Sequence, residues 1–246
     1  MLKNTYPFQD LVQLKIEFKH KSDWTKNTLN KPFIFKSLRW FSIPGSKNVE
    51  IILGKCISGK NNISLFMNKM VTNQKLFRII DELDISSTVQ LYVFTGPYVN
   101  TVRNVLARNN SVFSDSIIKN GLQVWNVIIQ TSSLGNLISD LEEIGEIQSI
   151  TTYDSPETQK NIIFSPINNL DLKILNLLLS KSEYSLIEEA IKMGLFMSHR
   201  KINLTELAKL HSKNKSTVSR QYHSALEKVM KLVTYNIGNE IITSDL

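Results

Sequence analysis

An Asn-Gly pair at residues 120–121 stands between two apolar-rich runs, Ser111 to Ile118 and Leu122 to Ile129. Both residues tolerate the positive φ angles of a two-residue type I′ turn, so the pair predicts a tight antiparallel hairpin. Downstream, Leu134, Leu137, Ile138, Leu141 and Ile144 recur on one helical stripe that Gly145 is placed to stop, and a short strand is expected around Ile147 to Thr152. Upstream lie a β-rich run, Val89 to Thr95, and a helix after Pro97 carrying Val99, Val102, Val105 and Leu106. From Val89 to Tyr153 the expected order is β-α-β-β-α-β, the split βαβ or ferredoxin-like arrangement.

The residues before it repeat the pattern more loosely. Leu14, Ile16 and Phe18 alternate with Lys15, Glu17 and Lys19 as a half-buried strand requires, and Phe33 to Phe41 and Val49 to Ile57 read as strands around a Pro44-Gly45 turn. Leu76, Phe77, Ile79, Ile80 and Leu83 have helical spacing and predict a helix from Asn73 to Leu83. A second ferredoxin-like unit over Leu11 to Thr95 is one reading. Against it, Ile63 to Met67 could form an additional strand, and the Val89 strand cannot trivially serve both units. Asp154 to Asn169, with two prolines and a run of polar residues, reads as a linker, and everything beyond it is helical. Leu170, Ile174, Leu177 and Leu178 make one apolar stripe. Ser180 with Glu183, and Asn203 with Glu206, have capping-box spacing, while Asn214 is placed to cap a last long helix from Lys215 to about Val233.

The expected fold class is therefore α+β: an N-terminal ferredoxin-like (βαββαβ, once or twice over) sensory or assembly domain at residues 1–155, followed by an all-α helix-turn-helix domain. Residues 156–169 form the linker, 170–235 the helix-turn-helix domain and 236–246 a tail.

Composition narrows the chemistry. Among 246 residues there are four histidines and one cysteine, Cys56, so no CxxC or HExxH motif exists and no metal or cofactor is expected. The nine glycines form no GxGxxG, Walker-type or GxSxG loop, which argues against an enzyme. No apolar run approaches the roughly 18 residues of a membrane span, and the start of the chain lacks a signal-peptide core, so a cytoplasmic protein without membrane contact is expected. Formal charge is +7, and it is concentrated: from Arg200 to Lys231 eight Lys or Arg face only Glu206 and Glu227. Such a balance admits a polyanionic partner.

Two helices joined by a short turn, the second opening with small polar and basic residues, have the makings of a helix-turn-helix. Leu207, Ala208, Val218 and Tyr222 supply the packing positions. Lys215, Ser216, Thr217, Ser219 and Arg220 lie at the end that would meet base edges and phosphates, with Arg200 and Lys201 as further cations. The stretch Glu188 to Met230 resembles the helix-turn-helix domain of archaeal regulators related to the bacterio-opsin activator. The matching pieces are Ala190 through Gly194 with Leu195-Phe196, Arg200-Lys201, Asn203 through Ala208, Lys215 through Ser219, and Ala225. His199 stands where that family usually has proline, Ser212 where it has a turn glycine, and Lys213 where it has an aliphatic residue. The resemblance implies a transcription regulator binding double-stranded DNA, with an N-terminal region that senses a small-molecule effector or contacts the transcription machinery. Leu226, Met230 and Val233 extend the apolar surface of the last helix, from which a homodimer is expected.

Competing assignments are simpler. The hairpin could be a protein-interaction adapter with an incidental basic face, and Arg220 could pair with Glu227 on the surface. His199, His211 and His223, twelve residues apart, invite a metal but have no acidic or cysteine neighbour. His20, Asp23 and Trp24 are the most chemically mixed group in the N-terminal half, read as a packed Trp and a loop-capping Asp. Asp81, Glu82 and Asp84 read as a solvated helix end, and Cys56 as a small core hydrophobe.

Overall fold

A computed structural model describes residues 10–43, 45–58, 62–73, 77–153, 174–197, 199 and 201–234. The chain divides into two compact units, Met1–Asp171 and Leu172–Leu246.

The first unit is built on one eight-stranded antiparallel sheet. Its strands are β1 (Leu11–His20), β2 (Phe33–Ile43), β3 (Lys47–Cys56), β4 (Arg78–Ser86), β5 (Val89–Pro97), β6 (Phe113–Lys119), β7 (Leu122–Gln130) and β8 (Gly145–Tyr153), in the spatial order β4-β5-β3-β2-β6-β7-β1-β8. Among the described residues, helices α1 (Ile63–Asn73), α2 (Val102–Arg108) and α3 (Leu134–Ile144) and two 3-10 helices, Trp24–Thr28 and Thr131–Ser133, accompany it. This overturns the expected ferredoxin-like domain. Neither βαββαβ stretch closes on itself: β1 pairs with β7 and β8, while β5 pairs with β3 and β4. The first strand of each stretch has crossed to the other, so two four-strand sets become one sheet. The sets meet along only three residue pairs of β2 and β6, Ile34 to Lys36 against Lys119 to Ile117.

Strand register sends alternate residues to one helix-covered face. Under α2 and α3, Val12, Leu14, Ile16 and Phe18 of β1 pack with Trp125, Val127 and Ile129 of β7. Under α1, Phe33, Phe35, Ile52, Tyr92 and Phe94 pack with Trp24, Met67 and the buried Cys56. The opposite face carries Lys36, fully buried and paired with Asp115.

The Asn120-Gly121 turn forms as its chemistry dictates, with φ 52° and 75°. One local assignment fails, and one open alternative resolves as a helix. Arg78–Ser86 is an edge strand rather than part of a helix: Ile79, Leu83 and Ile85 turn inward while Arg78, Glu82 and Asp84 face solvent, and β-branched side chains fit that pleat. The acidic residues 81, 82 and 84 thus lie along a strand. Conversely Ile63 to Met67 opens α1, with Asn62 accepting from Leu65 N at 3.1 Å and Ile63, Met67 and Met70 buried on one stripe. Gly145 does end α3, yet its backbone is extended, φ −169°; a Cβ there would stand 2.1 Å from Phe18 Cζ.

The second unit begins, among its described residues, with helical residues 174–178, followed by α4 (Lys181–Lys192), α5 (Leu204–Leu210) and α6 (Lys215–Thr234). Leu186, Ala190, Leu195, Ile202, Leu207, Ala208 and Val218 form its core. The linker assigned to 156–169 and the tail assigned to 236–246 lie outside the described residues. Among the described residues no helix is long and apolar enough to cross a membrane.

Candidate functional site

Two reciprocal capping boxes fix the helices of the second unit. Ser180 and Glu183 cap the start of α4, and Asn203 with Glu206 caps the start of α5. Between α5 and α6 the chain turns through His211 to Asn214, with Ser212 at φ +51° and Lys213 N donating to Ala208 O at 3.0 Å. Asn214 Oδ1 then accepts from Thr217 N and Ser216 Oγ, each at 2.8 Å, which starts α6. Val218 is fully buried against Leu207 and Ala208, with Tyr222 packed at the edge, so the two helices are locked at this crossing.

That lock decides what α6 presents. Lys215, Ser216 and Arg220 are exposed, the last two on one side a turn apart. Thr217 and Ser219 are half-buried; Ser219 O lies 2.7 Å from His223 Nδ1. Lys201 is exposed on the loop before α5, away from the start of α6 in sequence, and Arg200 lies outside the described residues. Glu227 pairs with Lys231 at 2.9 Å. His211 Nε2 is 2.8 Å from Glu189 Oε2 but off-line for a hydrogen bond, and His199 and His223 are exposed. Among the described residues no three His, Cys, Asp or Glu side chains gather to hold a metal.

No family model, curated protein or solved structure matches this chain.

A second concentration of polar groups lies inside the strand-bearing unit, where β2 and β6 part. Thr101 caps α2 by accepting from Asn104 N, and Arg103, two residues on, is buried. Its Nη2 donates to Ser37 Oγ at 2.9 Å and to Glu50 Oε1, and the guanidinium lies over the rings of Trp40 and Trp125 at 5.2 and 5.0 Å. Burial lowers the guanidinium to about 9, opposed by the charge of Asp23, so it stays charged at neutral pH. Burial in turn raises the Asp23 carboxyl, against the pull of His20, Trp24 N, Gln123 and Arg103. His20 Nδ1 accepts from Ser22 N and Asp23 N, which leaves Nε2 to donate to Asn100 O at 2.9 Å.

Sequence reasoning singled out His20, Asp23 and Trp24 but missed Arg103, which lines the same cavity as Asp23 and Trp24. An arginine at the margin of an apolar helical stripe reads as surface. Three tryptophans in the strand-bearing unit, Trp24, Trp40 and Trp125, were the available signal, since buried indoles call for polar partners.

Proposed function

We propose that the chain is a sequence-specific double-stranded DNA-binding regulator, reading the major groove with the start of α6, as a homodimer. What supports this is one observation: Lys215, Ser216 and Arg220 stand exposed at the first turns of a helix whose opposite side is locked by Val218. Backbone N–H groups at that end favour phosphate, and a pair of exposed side chains one turn apart can span adjacent base edges. Met230 and Val233 are exposed further along α6 and offer apolar surface for a second subunit.

The test begins with selection of bound fragments from random DNA. A two-fold sequence with half-sites about 10 base pairs apart is expected for a dimer. On the selected site Arg220→Ala should cost on the order of 1 to 3 kcal/mol and far less on random DNA, whereas Lys215→Ala should weaken both and flatten the salt dependence by about one unit. If both variants keep their fold and bind the selected site as the parent does, α6 is not the recognition element and an adapter role gains.

A further inference from the structure

The solvent side of α6 continues past Arg220. Ser216, Arg220, His223 and Glu227 are all exposed, and at about 100° per residue they fall within roughly 40° of a single line along the helix. Val218 and Ala225, both fully buried, lie on the opposite side. At about 1.5 Å per residue His223 stands roughly 10 Å beyond Ser216 and roughly 4.5 Å beyond Arg220. Base pairs rise by about 3.4 Å, so the two intervals are close to three base-pair steps and one. Glu227 is a turn further on, where Lys231 Nζ takes its carboxylate at 2.9 Å.

The ring of His223 is fixed in orientation and in tautomer. Its Nδ1 lies 2.7 Å from Ser219 O, a backbone carbonyl that can only accept, so Nδ1 carries the proton. Tyr222 meets the imidazole edge to face, with centroids 5.4 Å apart and planes at 89°, and Phe196 packs against Tyr222 at 5.8 Å. In a neutral imidazole with its proton on Nδ1, Nε2 keeps a lone pair and no hydrogen. His223 thus offers solvent a single acceptor with no donor beside it.

Few groups in the major groove answer such an acceptor. Guanine and thymine present acceptors of their own, and adenine sets its N7 acceptor beside the N6 amine. Cytosine presents the N4 amine alone, the group that carboxylate side chains also recognise. Arg220, which carries donors only, suits guanine.

We propose that His223 reads cytosine, its Nε2 accepting from the N4 amine, one base pair along the groove from a guanine read by Arg220. Ser219 is the positioning residue, acting through its carbonyl oxygen. The inference rests on α6 being the recognition helix, and it adds what the half-site must contain: two adjacent G·C pairs.

The test compares DNA fragments selected from random sequence by the full chain and by Arg220→Ala, His223→Ala and His223→Gln, at pH 8, above the range in which histidines ordinarily take up a proton. The parent should select a guanine whose preference disappears in Arg220→Ala. Beside it should stand a cytosine whose preference falls about threefold to tenfold in His223→Ala, with the other positions unchanged. His223→Gln, which sets a donor next to the acceptor, should turn that same position toward adenine. Because His223 is exposed, both variants should unfold near the parent's midpoint. Equal weakening of all sequences in His223→Ala would mean a phosphate contact and overturn the proposal, as would a selected site that ignores both His223 variants. In those two cases Arg220→Ala still registers at its own position, and α6 remains the recognition helix. If Arg220→Ala also changes nothing, or the parent selects no sequence, the recognition-helix reading falls and the proposal falls with it.

Discussion

Glu183 ties the start of α4 to the middle of α6. Its Oε2 accepts from Ser180 N at 2.8 Å, and its two oxygens take Lys228 Nζ at 2.7 and 2.8 Å, with Ser224 Oγ at 2.8 Å. Burial works to raise its carboxyl, yet the bonds from Lys228, Ser180 and Ser224 outweigh it and bring the group from an ordinary 4.5 to about 2. A carboxyl depressed in the folded state contributes stability that is complete above its unfolded value and disappears as pH falls through the folded one. Thermal stability of the C-terminal helices should therefore decline between about pH 4.5 and pH 2, and Lys228→Met should shrink that decline while costing on the order of 2 kcal/mol at neutral pH. Circular dichroism melts across that range check both; a flat profile in the parent would show that the pair is not formed in solution. Ser212 makes the opposite kind of prediction. Among the described residues five non-glycines have positive φ; four are asparagines, which tolerate that conformation, and Ser212 is the exception. Ser212→Gly should relieve the turn and stabilise the unit by about 0.5 to 1 kcal/mol in denaturant titration.

At the level of the element, what could be read in advance was what local chemistry decides. The Asn120-Gly121 turn and the two capping boxes depend on side chains within three residues of one another, and each forms as its sequence dictates. Strand β4 was illegible because Phe77, Ile79, Ile80 and Leu83 satisfy a helical repeat as well as a pleat, and only pairing with β5 chooses between them. Likewise Ile63 to Met67 is apolar enough for a strand, and becomes α1 because a row of aromatic residues on β2 and β5 needs covering. The exposed start of α6 could be located from residue types, but how far Thr217 and Ser219 are withdrawn depends on the crossing with α5. Arg103 was signalled only indirectly, by the tryptophans, since its partners Ser37, Glu50, Trp40 and Trp125 come from three strands spread over some ninety residues.

For the whole first unit, the exchange of β1 and β5 makes its two halves dependent on each other. Residues 10–88 lack β5, whose Tyr92 and Phe94 fill the core against Trp24 and Phe77; Leu14 and Ile16 of β1 are too small to replace them without leaving cavities. Residues 89–153 lack β1 between β7 and β8. Expressed separately, neither fragment should show a cooperative unfolding transition, and mixing them should restore one. A fragment that folds alone would mean that a closed four-stranded form competes. The same crossing sets a timetable for synthesis. Strand β1 leaves the ribosome first, and β7, its earlier partner, begins only at Leu122. At about 5 to 20 residues per second the wait lasts roughly 5 to 20 seconds, while Leu14, Ile16 and Phe18 have no strand beside them. Until then the growing chain carries a ready-made template for a neighbouring polysome's product, and its yield depends on how well the cell keeps that segment solitary.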